Sequence, residues 1–66
     1  MKYQIHYFNR WAEGWYAVKS GGKTLEFDSE ALADAFLANP RGWPRDVDSR
    51  ALNRAVDDSD IQIVSA

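Results

Sequence analysis

The clearest signal along this chain is a period of two in its first third. Tyr3, Ile5 and Tyr7 alternate with Lys2, Gln4, His6 and Phe8, the pattern of a half-buried strand. Asn9 to Gly14 reads as a turn in which Gly14 is free to take positive φ. Tyr16 and Val18 then point one way, with Trp15, Ala17 and Lys19 opposite, which is a second strand. Gly21-Gly22 is a two-residue hairpin signal, after which Leu25 and Phe27 alternate with Thr24 and Glu26 as a third strand. These three strands form a meander.

The period then changes to that of a helix. Asp28 or Ser29 is placed to cap the free amides of a helix running from about 29 to 38, and Glu30 suits the positive end of its dipole. Leu32, Ala35 and Phe36, spaced i, i+3 and i+4, form the stripe expected to cover the sheet. Asn39-Pro40 ends the helix, and Arg41 to Arg45 is loop. Asp46 or Asp48 caps a second short helix with Val47, Ala51, Leu52, Ala55 and Val56 on one face, expected to stop near residue 57 where three aspartates oppose its dipole. Ile61, Ile63 and Val64 predict a fourth strand. The expected fold is α+β, in the order β-β-β-α-α-β, with a small antiparallel sheet and two short helices on one face.

Composition narrows the function classes. At 66 residues the chain is expected to be a single compact domain, 1–66, burying about 60% of its unfolded surface. With no cysteine, disulfides and thiolate metal sites are excluded, so nine aromatic residues must supply much of the core. No run of about 18 apolar residues and no signal-peptide pattern occurs, which predicts a soluble, cytoplasmic protein. Net charge is −2, but residues before 28 sum to +2 and the remainder to −4. One mildly basic and one acidic face follow.

Candidate chemistry is sparse. His6 is the only histidine and reads as a surface strand residue without a nucleophile beside it. No serine lies in a strained nucleophile elbow. Asp46-Val47-Asp48 opens like a calcium loop, but Arg50 and Ala51 stand where an oxygen ligand and glycine are needed, so the segment reads as a cap. No enzyme, cofactor or metal is expected. Two surfaces remain: the outer sheet face, where Lys2, His6, Trp15, Lys19 and Lys23 would stand together as a nucleic-acid platform, and the acidic side of the helices.

Two resemblances bear on these. Gly14, Trp15, Tyr16, Ala17, Gly22, Lys23, Phe27, Ser29, Ala31 and Phe36 make residues 14–38 similar to the arm-type DNA-binding domains of integrases, which implies a three-stranded sheet that reads DNA. In size, missing cysteines, acidic helices and α+β order the chain also resembles the small phage inhibitors called anti-CRISPR proteins, a likeness of type. That resemblance implies a non-enzymatic inhibitor whose acidic face blocks a basic nucleic-acid-binding surface on a CRISPR effector subunit. The expected partner contacts are Glu30, Asp34, Asp57, Asp58 and Asp60 for steering, with Trp15 or Trp43 as apolar anchor. The alternatives are a sheet-type DNA binder or a structural subunit of a larger assembly, with monomer and weak dimer both open.

Overall fold

A computed structural model describes residues 1–66. The first strand, β1 (Tyr3–Asn9), is central: β2 (Gly14–Ala17) pairs with one edge and β5 (Ile61–Ser65) with the other, both antiparallel. Between them the chain forms the short hairpin β3 (Lys19–Ser20) and β4 (Lys23–Thr24), then the helices α1 (Glu30–Leu37) and α2 (Ser49–Asp57), separated by a 3-10 turn at Pro40–Gly42. The architecture is mixed α+β, with both helices on one face of an antiparallel sheet.

The meander is broken at Val18, which donates its N–H to Ile5 O (2.9 Å) and accepts from Leu25 N–H (2.9 Å) with its carbonyl. Because Val18 bonds to both sides, the strand turns away from β1 there. Phe27 takes the vacated place beside Tyr3, exchanging two hydrogen bonds of 2.8 Å. The expected third strand is thus two residues of hairpin plus one bridge. Gly21 and Gly22 have φ of 61° and 78°, the left-handed pair a tight hairpin needs. Gly14 does not have positive φ. Glu13 does (55°), and a Cβ at Gly14 would make only ordinary contact with the Tyr16 ring, at 3.5 Å.

Nine buried residues make one core: Ile5 and Tyr7 from β1, Val18, Ala33 from α1, Trp43 and Val47 from the loop, and Ala51, Leu52 and Ala55 from α2. The stripe expected on α1 is displaced. Ala33, with Phe36 and Leu37, faces the core, whereas Leu32 is 52% exposed and Ala35 lies open. The reason is that α1 is apolar at six of its eight positions, so two overlapping stripes fit a 3.6-residue period and both contain Phe36. The face expected on α2 is the face observed, except that Val56 is 37% exposed at its margin.

Caps set the helix limits. Ser29 Oγ accepts from Leu32 N–H (3.2 Å) and Asp48 Oδ1 from Ala51 N–H (3.1 Å). Helix α2 ends at Asp57 in a Schellman turn, in which Asp60 N–H donates to Ala55 O (2.8 Å) and Ser59 N–H to Val56 O (3.2 Å), with Ser59 at φ 60°. At the end of α1, the indole N–H of Trp43 donates to Phe36 O at 2.6 Å and takes up one of the carbonyls a helix terminus leaves free.

Candidate interaction surface

Helix α1 stands as a ridge between two open grooves. On one side, Leu32, Ala35 and Phe36 face Phe27 across a cleft of about 450 Å³ rimmed by Lys2, Glu26, Asp28 and Asn39. On the other, Asp34, Leu37 and Ala38 face Val56, Ser59 and Ile61 across about 420 Å³. Ala31 and Ala35 cap the ridge. Their short side chains expose helix backbone to close approach, and Leu32 overhangs beside them.

Electrostatics give this ridge a sign. Glu30 and Asp34 lie one helical turn apart and neither has an ion-pair partner. Folding alone gains nothing from placing two like charges at that spacing. Four of the eight cations are engaged elsewhere: Lys2 pairs with Asp28, Arg10 and Arg54 with Asp58 (3.7 and 3.1 Å), and the Arg50 guanidinium lies 4.4 Å above the Trp11 ring. Beside Lys2, the Asp28 carboxyl is held below its ordinary value, and Lys2 is correspondingly raised, through their hydrogen bond first and their charges second. Asp46 is also lowered, because Gly21 N–H (2.5 Å) and Ser20 Oγ (2.9 Å) both donate to it. Tyr7 is raised by burial and then by the charge of Asp48. Each shift has a structural cause within the fold.

The residues expected to bind a partner are therefore divided. Glu30 and Asp34 share the ridge, while Asp57 and Asp60 follow at the end of α2, near the wall formed by Val56 and Ser59. Asp58 is drawn away by its two arginines. Trp43 is corrected from surface anchor to core: it is 8% exposed, bonded to Phe36 O and stacked on the Phe36 ring at 5.9 Å. Trp15 is half exposed but packs on Phe8 on the sheet face opposite the helices, so it does not act together with the acidic ridge.

The set expected for nucleic acid is scattered as well. Trp15 and His6 do lie on the outer sheet face, and Lys19 continues it. Lys2, however, sits at the far end of β1 in its pair with Asp28. Lys23 is directly opposite Ser20, whose hydroxyl reaches Asp46, so it projects to the other side from Lys19. His6 has a ring nitrogen 3.2 Å from Gln4 Oε1. No three His, Cys, Asp or Glu side chains stand close enough to hold a metal.

Leu32, Val56, Trp11 and Tyr16 are exposed apolar residues that pattern reading assigned to the core or passed over. The signal for Leu32 was present in α1, whose apolar residues exceed what one buried stripe requires. No helix is long and apolar enough to cross a membrane. No family model, curated protein or solved structure matches the chain.

Proposed function

We propose that this protein works by binding another protein, without catalysis, and that α1 with its two flanking grooves is the surface that does so. The observation that carries this reading is a half-exposed Leu32 on a helix apolar at six of eight positions, beside two carboxylates that pair with nothing in the chain. Apolar overhang supplies contact area at the centre of such an interface, and Glu30 and Asp34 supply steering and orientation. The complementary partner is apolar in the middle and basic at its margin. An inhibitor of the anti-CRISPR type fits this description, seated on a basic surface of an effector subunit that otherwise holds nucleic acid.

The test is affinity capture with the full chain, followed by titration of each purified candidate, CRISPR effector subunits first. Binding by the unaltered protein is expected to weaken in E30K/D34K most at low salt, and in L32S at every salt concentration, since screening acts on charges and not on apolar burial. Equal binding by all three proteins would remove α1 from the interface.

A further inference from the structure

The sheet has a second open feature, its β2 edge, and that edge is complementary to itself. Tyr3 exchanges both hydrogen bonds with Phe27 and Ile5 accepts from Val18, so the odd-numbered residues of β1 direct their backbone groups toward the β2 side. Phe8 N–H donating to Asp60 O on the other side agrees with this alternation. It follows from the register, Tyr7 with Tyr16 and Asn9 with Gly14, that Tyr16 and Gly14 spend their backbone groups on β1. The N–H and C=O of Trp15 and Ala17 point outward, and no turn, loop or side chain takes them up.

An open edge is usually blocked by lysine, proline or a bulge along its length. The strand here reads Gly-Trp-Tyr-Ala and has none of these; its charges, Glu13 and Lys19, lie just outside. Trp15 and Tyr16 are half exposed on opposite faces of the strand. We infer that β2 pairs antiparallel with β2 of a second copy of this chain about a twofold axis at Tyr16, forming a continuous six-stranded sheet.

Three registers bring the outward groups of Trp15 and Ala17 into play. Centring on Trp15 sets Trp15 against Trp15 and leaves Lys19 opposite Trp11, while centring on Ala17 sets Trp15 against Lys19. Only centring on Tyr16 pairs Trp15 with Ala17 of the second copy twice over, giving four new backbone hydrogen bonds. The same register brings Glu13 to the level of Lys19 of the second copy, again twice. On the outer face each Trp15 ring lies over a small Ala17 while keeping its contact with Phe8, and on the helix face the two exposed Tyr16 rings meet. The other edge, β5, carries no charged residue that would set a register. None of the five residues involved lines either groove beside α1, so this inference does not rest on the function proposed above.

A contact of one short strand per copy falls below the roughly 1,200 Å² of a stable interface, so a weak, concentration-dependent dimer is expected. The test is sedimentation velocity of the full chain from about 10 to 500 µM, a range suited to dissociation constants of roughly tens to hundreds of micromolar. The unaltered chain is expected to associate as concentration rises. E13K alone and K19E alone each oppose like charges at both contacts and are expected to weaken association by about tenfold or more. Mixing E13K with K19E in equal amounts restores opposite charges at both contacts and is expected to restore association. A monomeric unaltered chain at all concentrations, or a mixture that associates no better than its components, overturns the inference. Only variants whose circular dichroism spectra match that of the unaltered chain are mixed, with K19D standing in for K19E and E13R for E13K where needed, and an unaltered chain that still dimerises with K19E at full strength would also overturn the register.

Discussion

Truncating Leu32 and Leu52 to alanine makes the same chemical change on two helices with opposite consequences. Leu52 is 0% exposed at the centre of the core, between Ala51 and Ala55 on a helix packed against β1. Losing its side chain removes apolar burial and leaves a cavity, at a cost of about 3 kcal/mol in the middle of the range for buried leucines. A chain of 66 residues has roughly 3 to 10 kcal/mol of total stability, so L52A should leave the protein marginal and lower its Tm by more than about 12 °C. Leu32 is 52% exposed. About half of its possible burial is realised, worth about 1 kcal/mol, and alanine recovers a little of that through helix propensity. L32A should therefore cost less than about 1 kcal/mol. Urea unfolding followed by far-UV circular dichroism measures both, with an unchanged m-value confirming that the same surface is exposed on unfolding. If L32A proves as costly as L52A, Leu32 belongs to the core and the ridge assigned to α1 does not exist.

Ser59 sits at φ 60° in the position after α2 that glycine usually holds. Replacing it with glycine relieves about 1 to 2 kcal/mol of left-handed strain against about 0.5 to 1 kcal/mol of added backbone entropy, so S59G should stabilise by up to about 1 kcal/mol in the same urea assay. Asp46 and Asp28 are both depressed below their ordinary value of 3.8. A depressed carboxylate contributes stability that is present above its unfolded pKa and lost as pH falls through the folded one. Stability should accordingly hold from neutral pH to about pH 5 and decline below pH 4, and D46N should flatten that acid limb without altering the neutral plateau's pH independence, as read by melting temperature against pH.

How far the fold could be read from the chain depended on the distance over which each feature is decided. The Gly21-Gly22 turn, a cap at Asp28 or Ser29 and another at Asp46 or Asp48, and a stop near residue 57 are set by neighbours within a few residues, and the structure has each of them, with Ser29 and Asp48 as the capping residues. Strand order is not local. That β5 pairs with β1 joins residues 54 to 62 positions apart, and nothing in Ile61–Ser65 names its partner. Helix α1 defeated pattern reading for a different reason: an apolar residue on nearly every side leaves the inward direction to be chosen by packing, which buried Ala33 with Phe36 and Leu37 against the core. The site followed suit. Glu30 and Asp34 were legible as a surface pair, whereas the capture of Asp58 by Arg10 and the burial of Trp43 under Phe36 depend on contacts that only the folded chain makes.

The distribution of charge also separates the roles of the two open surfaces. In the register inferred for the β2 edge, Glu13 and Lys19 lie three residues to either side of Tyr16 in the sequence, so a twofold axis there sets each charge against its opposite. On the α1 ridge both charges are negative, and a twofold axis would bring Glu30 and Asp34 against their own copies, which disfavours the pairing that the exposed alanines and Leu32 would otherwise invite. Like-charge repulsion at the margin is how a surface with exposed apolar residues avoids its own kind while remaining open to a partner of the other sign. Lys2, Arg10 and Arg54 are paired with Asp28 and Asp58, and no cation of the chain forms an ion pair with Glu30 or Asp34, so the charge of these two carboxylates is not neutralised by a direct contact.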